Sequence, residues 1–486
     1  MGLNHVYVVT QEDRQHDAET KGIHWVLAST FIVGTMVGAG LVVLPKALSD
    51  TGLITGLIVL LGGAVFSVYT GNLLGENWLM MRKRWRKFAL HCHDPYPEMA
   101  TRALGKRAGI FVRLVLCISQ FGVAVVFLIL ASMNISSLLE MAKIHIGFCM
   151  SLPAISLFLW PLVMLESPKD FWQAAVCAAL CTMCAIGLLF YGIAIDRPTC
   201  GPVIAYKDPE IMGIFLSFGT ALFAFGGHSC FPTFQNDMKN PKQFSRVIIT
   251  AYLVIILMYV PVSVFAFLTY GNSLSDDASK SIQSEWIRHG VTLLITLHVT
   301  AALVIVIAPV SHSFEKLCNV PNRFCARRLI VRSLLWAAVL FMALSVPKFG
   351  VFLDLVGGST MALLSLVFPP LFNMFLGAAE KKRQMTDDRE ENETIIASVY
   401  DVLQCTPKHK LLLNTICICI GVLSGVAATT SALRSIFSLD VATPCYMRPF
   451  IHLPDSYSTP VFSGAFCCGE SRSIRAPFFN GTCLKH

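Results

Sequence analysis

The chain has 486 residues, 55% of them hydrophobic and 14% charged, with a formal net charge of +8 and a mean hydropathy of +0.63. So apolar a composition excludes a string of soluble domains, which the length alone would suggest, and marks a membrane protein. The positive charge calls for no nucleic acid partner, because the basic residues cluster where a membrane protein keeps them, at the cytosolic ends of its spans.

Residues 1–23 form a polar arm without the apolar core of a cleavable signal peptide. A transmembrane helix takes about 20 apolar residues. Eleven stretches qualify, near 24–45, 52–80, 108–132, 148–165, 171–195, 210–233, 245–270, 289–312, 329–346, 350–378 and 411–433. The sequence therefore predicts an all-α polytopic protein with an arm over 1–23, a transmembrane domain over 24–433 and a tail over 434–486. Five spans lie within 24–195 and five within 210–378. Because five is odd, the second set enters the membrane from the opposite side. That is a 5+5 inverted repeat in topology, with one extra helix behind it.

With the N-terminus in the cytosol, 26 of the 38 Lys and Arg residues fall on the cytosolic side, 7 in the opposite loops and 5 in the tail. This bias sets the orientation. The run Arg82-Lys83-Arg84-Trp85-Arg86-Lys87 is read as a stop-transfer anchor against the inner leaflet. An odd number of spans leaves the tail outside, where the sequon Asn480-Gly481-Thr482 is open to glycosylation. Asn392-Glu393-Thr394 stays on the cytosolic face, unmodified. Cys200, Cys445, Cys467, Cys468 and Cys483 face the oxidising side, and five thiols leave one over. Cys177, Cys181 and Cys184 share a helix face as packing residues, and His91-Cys92-His93 lacks a second ligand pair for zinc, so no metal is expected.

Two spans are broken. The first reads Gly34-Thr35-Met36-Val37-Gly38-Ala39-Gly40-Leu41-Val42-Val43-Leu44-Pro45, the second Phe223-Ala224-Phe225-Gly226-Gly227-His228-Ser229-Cys230-Phe231-Pro232. Each opens one half of the repeat. Glycine and proline unwind a helix and free backbone groups at membrane depth, where a polar solute or ion becomes their partner. Gly34 and Gly38 also form a GxxxG pair, for which close helix packing is the lesser alternative.

In these stretches the chain resembles the amino acid/auxin permeases, the amino acid transporter transmembrane family, over nearly all of 24–433. Gly38-Ala39-Gly40 with Leu44-Pro45 carries the likeness in the first span. Phe225-Gly226-Gly227-His228 with Phe231-Pro232 and Asn236-Asp237-Met238-Lys239-Asn240-Pro241 carries it in the sixth. Phe349-Gly350, Leu355-Val356-Gly357-Gly358-Ser359 and Pro369-Pro370 carry it in the tenth, and Ser167-Pro168-Lys169-Asp170-Phe171-Trp172 between spans four and five. The resemblance implies a neurotransmitter-sodium-symporter-like fold and the carriage of amino acids or related solutes with protons, or with sodium. Two family features are absent: Gly34 stands where sodium-coupled relatives place an Asn, and Phe31 where some proton-coupled relatives place a His. Cys200 matches a cysteine that such relatives bridge to the loop after span seven. Residues 271–288 hold no cysteine, so a bridged Cys200 would find its partner elsewhere, with the tail among the candidates.

The site follows from the chemistry of an amino acid. Amides of Gly38, Ala39 and Gly40 at a half-helix N-terminus suit its carboxylate. Carbonyls around Phe225, Gly226 and Gly227 suit its ammonium group, and Thr35 offers a hydroxyl. Gln120, His298 and Thr300 are polar in apolar surroundings and complete the pocket. His228 has two readings, a hydrogen-bonded core residue or a proton-linked one, and Asp354 and Thr300 are candidates for coupling or gating. Asp354, costly if unpaired, faces the bundle or pairs with a cation such as Lys348, and Asp237 reads as a surface gate or cap. No P-loop, HExxH, nucleophile elbow or Rossmann fingerprint occurs, so neither an enzyme, an ATP-driven pump nor a cofactor is expected. The leading reading is a proton-coupled transporter of small neutral amino acids, in the plasma membrane or a lysosome-like organelle. A sodium-coupled transporter and an amino acid receptor that signals without flux are the alternatives.

Overall fold

The computed structural model describes residues 22–88, 92, 94–141, 143–144, 146–164, 172–206, 208–321, 325–346, 348–386, 396–437, 444–447, 467–469 and 474. Asn480, Asn392, Cys483, His91, His93, most of the 1–23 arm and the 167–171 part of the loop between spans four and five lie outside them.

The helices, in order, are α1 (Trp25–Met36), α2 (Ala39–Thr51), α3 (Leu53–Arg84), α4 (Pro95–Leu104), α5 (Lys106–Met141), α6 (Phe148–Val163), α7 (Trp172–Cys200), α8 (Ile211–Ala224), α9 (Phe231–Asn236), α10 (Phe244–Tyr270), α11 (Glu285–Leu317), α12 (Ala326–Ser345), α13 (Phe349–Val356), α14 (Phe368–Thr386), α15 (Val399–Cys405) and α16 (Lys408–Phe437). Every apolar stretch read from the sequence coincides with a helix or helix pair. Among the described residues nine helical segments are long and apolar enough to cross a membrane, and α1 with α2, bent by 57°, makes a tenth. The expected eleventh, α6, is an apolar helix of 16 residues and falls short of that length. This is the one departure from the expected count. Wide turns replace the regular helix between α13 and α14, over Gly357–Met361 and Leu363–Val367. Such stretches loosen the backbone ladder and concentrate at functional sites.

The broken helices sit in the middle of the bundle. α2 packs on α8 and α10, while α11 lies between α5 and α7. On the side where α1 begins, the Ile23 N–H donates to the Asp237 carbonyl at 2.9 Å and the Lys239 N–H to the Ile23 carbonyl at 3.0 Å. This backbone clasp joins the start of α1 to the end of α9.

At the opposite ends of the spans the tail is stapled to the bundle. Cys149, in the first turn of α6, is bridged to Cys445, and Cys200, at the end of α7, to Cys468, with Cα separations of 5.3 and 5.5 Å. The Cys445 N–H also donates to the Leu344 carbonyl, and Tyr446 stacks on Phe341. A tail partner for Cys200 is thus present. Counting only loop cysteines misses Cys149, because it lies inside an apolar run; the tally of five outer thiols with one left over is corrected accordingly. Peptide mapping without reductant should recover the 149/445 and 200/468 pairs, and recovery of either half as a free thiol would contradict this linkage.

Candidate substrate-binding site

α1 ends at Met36, and α2 starts at Ala39 with Gly38 as its cap and no side chain capping it. The first amides of a helix have no partner within it. Gly38, Ala39 and Gly40 therefore present donors and the positive end of the helix dipole at membrane depth. The carbonyls at the other end of the break are occupied: Met36 accepts from Tyr259 Oη at 2.9 Å and Val37 from Thr182 Oγ1 at 3.3 Å.

The second break mirrors the first. α8 ends at Ala224, a short tight turn covers Gly227–Ser229, and α9 starts at Phe231. The Gly226 and Gly227 amides bond locally to Phe223 and Phe225, and the Phe225 carbonyl accepts from Tyr252 Oη at 2.8 Å. Tyr252 and Tyr259 stand two turns apart on α10, so one helix caps a carbonyl in each half of the repeat.

Glycine is required where the halves meet. A β-carbon on Gly40 would lie 2.7 Å from Tyr259 Oη and 2.9 Å from Ala224 Cβ. One on Gly227 would lie 2.6 Å from Met36 Sδ. The Gly34–Gly38 pair thus includes a true close approach, but Gly38 meets a side chain rather than a helix backbone. A β-carbon there would overlap the His298 imidazole, 2.7 Å from Cδ2 and nearer still to Nε2.

Each break carries a buried imidazole held in the same way. His298 Nδ1 lies 2.8 Å from Thr182 Oγ1 and 3.1 Å from the Ala178 carbonyl. His228 Nε2 lies 3.0 Å from Thr70 Oγ1 and 3.2 Å from the Ser67 carbonyl. A carbonyl can only accept, so the bonded nitrogen carries the proton and the other nitrogen is a bare lone pair. Those other nitrogens, His298 Nε2 and His228 Nδ1, have no hydrogen-bond partner among the described residues.

The remaining candidates are placed less centrally. Thr35 donates to the Ile32 carbonyl of its own helix and Thr300 to that of Thr296, so neither hydroxyl proton is free for a ligand. Gln120 on α5 reaches Cys230 Sγ at 4.0 Å, beside the second break. Asp354 faces the bundle, where it accepts from Thr220 Oγ1 at 2.5 Å and ties α13 to α8. Thr70, Thr182, Tyr252 and Tyr259 escape sequence reasoning. The seven-residue spacing of the two tyrosines on one apolar helix is the signal that could have found the last pair.

Two half-helix pairs interrupted at matching places, facing each other inside an inverted repeat, define the secondary-transporter architecture. Residues 21–388 match the family described as transmembrane amino acid transporter protein, and the chain belongs to that family. Among curated relatives from Arabidopsis thaliana, amino acid transporter AVT1B is 24% identical over 72% of this chain and AVT1E is 26% identical over 70%. The chain spans 64% of the length of each. Among solved structures, MhsT in complex with L-phenylalanine is similar with a TM-score of 0.52 at 14% identity, over 84% of this chain and 98% of that one. The Eremococcus coleocola manganese transporter, in complex with an aromatic bis-isothiourea substituted compound, gives 0.51 at 12% identity, over 91% of each chain. At such identity the likeness establishes the fold, a multi-pass 5+5 helical architecture.

Proposed function

We propose that the protein is a secondary active transporter that carries small neutral amino acids together with protons by alternating access. The observation that carries this reading is the uncapped start of α2 facing the second break across the inverted repeat. An amino acid carboxylate is met by the amides of Gly38, Ala39 and Gly40, and its ammonium group by the carbonyls around Phe225, Gly226 and Gly227 once the Tyr252 bond to the Phe225 carbonyl gives way, with Gln120 at the rim. Gly38 against an imidazole and Gly40 against Tyr259 leave little room for a bulky substrate. His228, buried in the second break with one bare nitrogen, contacts the substrate or relays its proton, and Asp354 gates through its bond to Thr220. The hydroxyls of Thr35 and Thr300 enter only as acceptors.

The basic clusters support a cytosolic N-terminus, and the two tail disulfides fit an oxidising outer or lumenal face, at the cell surface or in a lysosome-like organelle. The test is uptake of a radiolabelled amino acid panel into proteoliposomes under an inward proton gradient, a sodium gradient or neither. Accumulation of small neutral amino acids driven by protons alone is expected. Sodium-driven uptake would replace the coupling ion, and binding without flux under any gradient would make the protein a receptor.

A further inference from the structure

We propose that His298 is a proton-binding residue of the first helix break, and that its Nε2 completes the carboxylate site formed by the amides of Gly38, Ala39 and Gly40. The inference rests on the reading of the protein as a proton-coupled amino acid carrier. His298 lies on α11, outside both broken helices, and is 1% exposed. Its ring is aimed by α7: the Ala178 carbonyl and Thr182 hydroxyl hold Nδ1, while Nε2 points at Gly38 without a partner among the described residues. Thr182 also reaches the Val37 carbonyl, so one hydroxyl ties the imidazole to the break itself.

A buried nitrogen without a partner is costly, and native proteins keep few of them without a use. Here the lone pair sits beside an uncapped helix N-terminus. A carboxylate placed on the amides of Gly38–Gly40 meets that lone pair and is repelled. When a proton from water adds to Nε2, the ring becomes a cation that donates to the carboxylate. The proton leaves to water when the substrate departs, so no other bond is made or broken. Proton and substrate thereby favour each other's binding, and by linkage the coupling is reciprocal.

Besides the imidazole, the titratable groups around the first break are the Tyr259 hydroxyl, bonded to the Met36 carbonyl, and groups on the surrounding helices. On α11 the closest other titratable or charged side chains are His289 and Arg288 on one side and His312 and Glu315 on the other, nine or more residues away, or ~14 Å along the axis. α7 brings the thiols of Cys177, Cys181 and Cys184, with Asp196 and Arg197 near its far end. α10 brings the Tyr259 and Tyr252 hydroxyls, both bonded to carbonyls of the breaks, and Arg246 near its start. The first charge beyond Gly38 on α2 is Lys46, paired with Asp50. α5 carries Cys117 and keeps Arg113 and Glu140 towards its ends, α12 keeps its arginines at Arg327, Arg328 and Arg332, and Lys280 precedes α11 in the loop.

The test compares wild type, His298→Gln and His228→Gln in proteoliposomes, using the amino acid that the uptake panel identifies. Equilibrium affinity is measured across pH, along with accumulation under a proton gradient and the alkalinisation that accompanies uptake. In wild type, affinity should weaken by about tenfold per pH unit above the midpoint, as expected for one proton bound per substrate. In His298→Gln the affinity should become flat with pH and alkalinisation should be lost. A pH slope and alkalinisation kept in His298→Gln would overturn the proposal. Should that variant fail to fold, Thr182→Val decides: it keeps the imidazole but removes its brace, and an unmoved midpoint would equally overturn it. Absence of proton-driven uptake in wild type would instead sink the functional reading, so the two failures are distinguishable.

Discussion

Gly38→Ala is expected to reduce transport by at least about tenfold while leaving the protein folded. The added methyl has nowhere to go, since it would overlap the His298 ring. That ring cannot swing aside freely, because Thr182 and the Ala178 carbonyl hold its other nitrogen. Overpacking of this kind costs about 1–3 kcal/mol. A strain confined to one of the states that a carrier populates alternately shifts the cycle by a factor of about ten at about 1.4 kcal/mol and of more than a hundred at about 3 kcal/mol. Initial uptake rate and thermostability in detergent, measured together, check this. A normal rate would mean that the break opens away from His298 during the cycle.

A double variant separates the clash from the chemistry. Gly38→Ala combined with His298→Ser removes the ring that the methyl strikes, so stability should recover towards wild type. Proton-driven accumulation should not recover with it, because the imidazole is gone. Non-additivity between the two sites is the signature of direct contact, and independent sites would give additive losses.

Much of this architecture was legible in the sequence, and the reason is chemical. Glycine, proline and long apolar runs are local signals, so the breaks at Gly38 and Gly226–Gly227 and the apolar helices could be placed, with α6 shorter than a span. The partners of those breaks are tertiary facts. Tyr252 and Tyr259 look like two ordinary aromatic residues in an apolar helix until α10 is laid against both halves. Thr182 belongs to a span whose most conspicuous residues are cysteines, and its contacts with Val37 and His298 join positions 145 and 116 residues apart. His298 itself was recognisable as a polar residue in apolar surroundings. Which nitrogen is bare, and that it points at Gly38, depends on the rotation of α11. Cys149 went uncounted because an apolar run conceals a thiol at its outer end, whereas its bridge to Cys445 spans 296 residues.

Glu315→Gln should produce the largest loss of stability among single substitutions away from the breaks, about 3–5 kcal/mol, as for other buried ion pairs that lose one partner. Glu315 Oε1 accepts from Arg328 Nε at 2.9 Å and from Arg332 Nε at 2.5 Å, and all three side chains are buried. Arg332 Nη1 also donates to the Val163 carbonyl at 3.0 Å, so the cluster joins α11, α12 and α6. Removing the carboxylate takes the shared anion from between two buried guanidinium groups. The neighbouring Lys316–Asp94 pair supplies the internal contrast. It is 3.9 Å long with the lysine 72% exposed, and such a pair contributes only about 0–1 kcal/mol. Lys316→Gln should therefore leave the melting temperature in detergent almost unchanged, while Glu315→Gln lowers it by several degrees. Equal effects would mean that water reaches Glu315 and that the cluster does not hold the three helices together. With the expected result, the cluster braces the helix that carries His298, so a destabilised Glu315 variant should also lose precision at the first break and transport more slowly at temperatures where it remains folded.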